Sequence, residues 1–266
     1  MTKKQFEKCK KWFDEYVAMY TSDDPRIRDG YAMKTEHTLR VCEEIKVLGL
    51  DCQLDRGDTH VATTAALFHD IGRYDQFREY GTFSDVKSED HADLGVRVLL
   101  VHEVLDNLHP EDREFILDAI HFHNKLEVDR DLSDRSWFFA HLLRDADKLD
   151  IFRVVLDEYQ SAKPVNGSIF WDLPDEPKIS DRVMHQIKCK QLVNRGDAKT
   201  LSDFKVLQLS WIYDLYFPNT GNILKERGYV EALLHTFPDI PGLSDLSQTL
   251  LADLDAFSKQ RYPRGK

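Results

Sequence analysis

Apolar residues recur at helical spacing almost from end to end of this chain, and no stretch alternates with the period of two that a half-buried strand shows. A chain patterned this way builds its core by packing helices on helices, so an all-α fold is predicted. Helices are expected over 3–20, 31–49, 58–71, 89–106, 111–124 and 134–158, with an irregular connection from Arg73 to Lys87. Residues 162–180 carry Pro164, Asn166, Gly167, Pro174 and Pro177 and read as one long loop. Further helices are expected over 181–193, 202–216, 221–236 and 243–260.

Six polar residues fall on the inward stripes of those helices: His37, His69, Asp70, His91, His123 and Asp147. Residues spaced i, i+3, i+4 and i+7 share a helix face. His37 aligns with Met33, Val41, Ile45 and Leu48, and His69 continues Ala62, Ala65 and Ala66. His123 continues Ile116, Ala119 and Ile120; Asp147 follows Ala140 and Leu143. His91 shares its face with Gly95 and Val98, and the small Gly95 would let another backbone come close. Any one of these taken singly is more often a hydrogen-bonded core residue. Five segments together are different, because an unpaired buried polar group costs about 1–3 kcal/mol and a whole domain is stable by only ~5–15 kcal/mol. A metal ion is the partner that imidazoles and carboxylates share.

Helical phase also separates near neighbours. His121 lies about 200° around the helix from His123, so His123 is the candidate ligand. Asp145 groups with His141 and Lys148 on what reads as a solvated face, whereas Asp147 joins the apolar row. Asp150, one turn beyond Asp147, is placed to orient a ligand or a metal-bound water. His102 lies too far along the His91 stripe, and His60 and His235 read as ordinary histidines. His69 and Asp70 point about 100° apart, so they flank one cluster, with Asp70 able to bridge two cations. Gly72 is expected to end the helix beside them.

Charge and composition narrow the partners. A formal net charge of -11 leaves no basic surface for a nucleic-acid polymer, though bound cations would admit a small phosphorylated molecule. Cys9, Cys42, Cys52 and Cys189 are isolated and read as reduced thiols. No apolar run has the length of a membrane span, no secretory signal is read, and a cytoplasmic location is expected. Nothing in the pattern specifies a dimer seam.

The ordered ligand set resembles the HD superfamily of metal-dependent phosphohydrolases. The matching stretches are His37-Thr-Leu-Arg-Val41, Leu67-Phe-His69-Asp70-Ile-Gly72-Arg73, His91-Ala-Asp-Leu-Gly95, Ile120-His-Phe-His123-Asn124 and Leu142-Leu-Arg-Asp-Ala-Asp147-Lys-Leu-Asp150. These stretches span roughly residues 31–152, and the resemblance implies an all-helical fold there; a metal-binding helical domain is expected over 1–160, with a loop and C-terminal helices over 161–266, outside the resemblance, packed on it as one compact unit. It implies one or two divalent ions (Mn, Ni, Co, Mg, Zn or Fe), with His37, His69, Asp70 and Asp147 as core ligands. His91 and His123 match the additional ligands of binuclear members. Arg73 stands where many relatives have Lys, Asn124 stands where binuclear phosphodiesterases often have His, and their Gly-Tyr-Pro signature is absent. Cyclic-dinucleotide hydrolysis is disfavoured on those grounds.

The activity this implies is hydrolysis of a phosphoester in a nucleotide or another small phosphorylated metabolite. Asp70 would take a proton from the attacking water or hold the hydroxide, and Arg73 would clamp phosphate with its planar fork. Lys148 would either assist or lie solvated. Ser88 is read as the cap of the helix that begins near Asp90. Trp211, Tyr213, Tyr216 and Phe217 are read as core packing rather than a base-stacking surface. Two other readings share the same ligands: an HD-type diiron oxygenase, and a nucleotide-sensing module without turnover.

Overall fold

The computed structural model describes residues 1–160 and 173–261. The expected all-α architecture holds, with no strand among the described residues. By contacts the chain divides into two compact units, Met1–Asp150 and Ile151–Lys266.

The first unit holds α1 (Lys3–Val17), α2 (Pro25–Asp51), α3 (Arg56–Phe68), α4 (Gly72–Tyr80), α5 (His91–Val101), α6 (Pro110–Phe122) and the first part of α7 (Asp134–Gln160). Helix α3 is its centre and packs against α1, α2 and α6. Every residue from Val61 to Gly72 is buried, as befits a core helix apolar on all sides. The helix starts are set locally. Thr2 and Gln5 form a capping box on α1, and Asp24, Asp55 and Asp90 accept backbone N–H groups at the starts of α2, α3 and α5.

Several expectations change. Helix α2 begins at Pro25 rather than near residue 31, because proline at the first helical position lacks only an N–H that is unpaired there anyway. Residues 72–80 form α4 instead of an irregular connection; its buried side includes Gln76, so an apolar-only periodicity missed it. Asp90, not Ser88, caps α5, while the Ser88 hydroxyl donates to the Ser84 carbonyl. Asp145 and Lys148 are buried rather than solvated, since α7 is enclosed almost all round between Phe139 and Asp150.

Gly72 opens α4 rather than closing α3, and its lack of a side chain brings α4 and α5 together. A Cβ at Gly72 would lie 2.3 Å from the His91 carbonyl oxygen and 2.5 Å from the Gly95 nitrogen. Gly95 is the complementary small residue, with a Cβ there only 3.3 Å from the Gly72 nitrogen and from Ile71.

In the second unit, α8 (Asp181–Lys188) packs on α9 (Leu201–Ser210), and α10 (Pro218–Glu226) on α12 (Leu243–Ser258). The helix expected over 221–236 breaks at Gly228, whose φ of +64° separates α10 from α11 (Tyr229–Leu234). Val155, Leu201 and Phe204 form a buried cluster. Trp211 packs edge-on against Phe152 at 5.7 Å, Phe217 is buried, and the Tyr213 hydroxyl donates to Asp253. The C-terminal aromatics are therefore packed internally, as expected. Of the long loop read over 162–180, residues 161–172 lie outside the described residues, and 173–180 are non-helical.

Gly72→Ala is expected to cost about 1–3 kcal/mol or more through overpacking against α5. Gly95→Ala should be close to neutral, because the gain in helix propensity offsets a mild clash. Thermal denaturation of the two variants side by side checks the asymmetry.

Candidate metal centre

The six candidate ligands converge from five places in the first unit. His37 comes from α2, His69 and Asp70 from the end of α3, His91 from the first position of α5, His123 from the C-cap of α6, and Asp147 from α7. Asp70 sits in the middle. Its Oδ2 lies 3.7 Å from His37 Nε2 and 3.6 Å from His69 Nε2, and its Oδ1 lies 3.3 Å from His91 Nε2. His37 and His69 bring their Nε2 atoms to 3.2 Å, and His91 and His123 to 2.9 Å. Asp147 Oδ1 completes the first group, 3.0 Å from His37 Nε2 and 3.6 Å from His69 Nε2.

These separations suit shared ions. Donors about 2.1 Å from one cation stand roughly 3.0 Å apart at right angles and roughly 3.4 Å apart in a tetrahedron. Two sets bring their donor atoms within 4.8 Å of one another, His37–His69–Asp70 and Asp70–His91–His123, and all five of those residues are buried.

The opposite ring nitrogens settle the tautomers. His69 Nδ1 donates to the Ala66 carbonyl at 2.7 Å and His123 Nδ1 to the Ile120 carbonyl at 2.6 Å. His37 Nδ1 meets Asp150 Oδ2 at 2.7 Å, and His91 Nδ1 meets Asp85 Oδ2 at 2.9 Å. Carbonyls and carboxylates only accept, so each Nδ1 carries a proton, and each ring, when neutral, turns an Nε2 lone pair toward the centre. Two lone pairs 2.9 Å apart repel unless a cation lies between them. Asp147 Oδ1 is buried beside His37 Nε2 at 3.0 Å. The donor set fits divalent or iron ions.

Charge states agree for most of the cluster. Burial would raise the Asp70 carboxyl, but Lys34, His69, Arg73 and His91 together hold it well below its ordinary range. Burial likewise lowers His69 and His91, and drives His123 down to about 3, helped by His91 and His69. His37 is the exception. Burial pulls it down, but Asp147 and Asp150 outweigh that and raise it to about 9.

A supporting layer fixes the ligands. Arg40 donates to both oxygens of Asp150 at 2.6 and 3.0 Å, so Asp150 orients His37 as expected. Asp85, in a short 3₁₀ turn (Asp85–Lys87), does the same for His91. Arg73 stands between the two carboxylates. Its Nε faces Asp70 Oδ1 at 3.4 Å, and its Nη1 donates to Asp85, Gln76 and the Phe83 carbonyl. The fork expected to grip phosphate is thus divided among protein acceptors. Arg144 gathers the carbonyls of Phe122, His123 and Lys125, which holds the end of α6 where His123 sits.

Residues set aside on phase lie elsewhere. His121 pairs with Asp93 at the surface, His102 packs against Trp12 and Tyr16, and His60 stacks on Phe6. Lys34, Asp85, Arg40 and Arg144 were missed by sequence reasoning. Lys34 was findable, because it stands three residues before His37 on the same face of α2. Asp85 had no periodic signal to find.

Residues 35–155 match the HD domain family. That match, over a little under half of the chain, supports membership in the HD superfamily of metal-dependent phosphohydrolases, and the stretch carries buried His/Asp groups that can hold a metal. Neither curated proteins nor solved structures yield a match.

Two outcomes are expected. At pH 7.5 the metal-free protein carries the His37 proton, which ion binding displaces, so apparent affinity should rise with pH and level off near pH 9. Calorimetric titration of Mn²⁺ in two buffers of different ionisation enthalpy counts that proton. Arg73→Gln should loosen Asp85 and His91 and lower the ion content from two per chain to one, read by elemental analysis.

Proposed function

We propose that the protein hydrolyses a phosphoester in a nucleotide or another small phosphorylated metabolite, with two divalent cations held by the donor groups that Asp70 joins. The observation that carries this reading is that the two oxygens of one buried carboxylate face separate imidazole pairs. When bound, such ions polarise the phosphoryl group and make water at the site a stronger nucleophile at neutral pH.

The remaining work falls to the protein's own residues. Asp70 stays ionised next to two cationic side chains, so it orients the centre and is a poor proton acceptor. Asp147, 14% exposed, belongs to the more open part of the cluster, so its carboxylate is placed to accept a hydrogen bond from the attacking water. Arg73 and Asp85 keep His91 and Asp70 in register. The acidic chain suits a small substrate better than a polymer, and bound ions would supply positive charge at the site.

Asp70→Ala is expected to lose ions and phosphate release together while the helical circular-dichroism signal persists. The direct test joins elemental analysis of anaerobically purified protein to a phosphate-release screen of nucleotides with Mn²⁺, Ni²⁺ or Co²⁺. Release that depends on the added ion supports hydrolysis. Two irons with oxygen uptake and no phosphate release would replace it with oxygenase chemistry. Nucleotide binding without turnover would make the chain a sensor.

A further inference from the structure

Each oxygen of Asp70 has a cationic side chain beside it as well as an imidazole pair. Arg73 attends Oδ1, and Lys34 attends Oδ2, with its Nζ donating at 2.7 Å. The two cations differ in how they are held. Arg73 is braced along its fork, with Nη1 serving three protein acceptors and Nε serving Asp70, so only Nη2 is left to give. Lys34 has Asp70 as its one hydrogen-bond partner among the described residues, so two of its three N–H groups are uncommitted.

Lys34 is at least as well placed as Arg73. The imidazoles and Asp70 are almost sealed, whereas Asp147 is 14%, Lys34 17% and Arg73 13% exposed. Asp147 contacts His37 and His69, and Lys34 contacts the Asp70 oxygen that faces them, so that group has an open side and Lys34 borders it. The ammonium is held there from a second direction, 5.6 Å from the centre of the Phe83 ring, and Phe83 is itself stacked on Phe77 at 4.3 Å. A flexible lysine is thereby held in place beside the site. It also lies just outside the stretch that matches the HD family, which begins at residue 35.

We propose that Lys34, one turn before His37, is the substrate-binding cation that receives the phosphoryl oxygens, and that Arg73 only positions Asp70 and Asp85. The inference rests on the phosphoester reading above and adds the contact that would make the site selective for a tetrahedral oxyanion. An approaching phosphoryl group on the open side meets the two uncommitted N–H groups while the third stays on Asp70. A lysine there acts as a compact point charge, tolerant of a group that changes shape during reaction.

The test uses the full chain saturated with Mn²⁺ and inorganic phosphate as the probe. Lys34→Gln should keep the wild-type ion content and bind phosphate roughly tenfold to a hundredfold more weakly, the size of one charge-assisted hydrogen bond. Lys34→Arg should recover much of that affinity. Unchanged phosphate affinity in Lys34→Gln overturns the inference, as does loss of ions, which would make Lys34 merely the counter-charge of Asp70. Arg73→Gln that keeps two ions yet binds phosphate weakly would also overturn it by returning the contact to Arg73. Loaded wild-type protein that binds no phosphate overturns the phosphoester reading, and this inference with it.

Discussion

The centre depends on one carboxylate taken out of water with both oxygens in use. Asp70 is 2% exposed and remains ionised because cations and imidazoles approach it from both sides. A buried charge of this kind is tolerable only when it is fully paired. The pairing needs His37 and His69 on one flank and His91 on the other, and those rings come from separate helices. Local secondary structure therefore has to deliver donors to a common point from three directions.

Two features of the scaffold make that delivery possible. Helix α3 is buried on every side, so its last turn ends deep in the unit and carries His69 and Asp70 there. Gly72 and Gly95 then let α4 and α5 touch backbone to backbone, which draws the first residue of α5, His91, up to Asp70. A side chain at Gly72 would push away the very residue whose carbonyl it strikes. Packing and ligand geometry are the same constraint at this place.

The outer layer of hydrogen bonds converts proximity into a set of donors. Each imidazole gives its Nδ1 proton to an acceptor held in turn by the backbone or an arginine, so the Nε2 atoms have no choice of role. Arg40 with Asp150 and Arg73 with Asp85 are equivalent devices on opposite sides of the centre. They account for buried charge in a region where charge alone would be destabilising.

Helical phase named the six residues that converge around Asp70, since the stripe a residue occupies is written in its neighbours three and four positions away. His121, set aside on phase, lies at the surface, and His102 and His60, set aside on distance and context, pack elsewhere. It misjudged Asp145 and Lys148, because periodicity assumes that one side of a helix is wet and α7 is enclosed almost all round. It passed over α4, where a buried glutamine takes a core position, and over Asp85 in a turn with no period. What the sequence alone determined was the helical class and which side chains face inward. Only the tertiary structure decided that Asp70 joins two groups, that Arg73 stands between Asp70 and Asp85, and that Lys34 reaches Asp70. Those outcomes depend on distances between segments far apart in the chain, and local pattern carries no record of them.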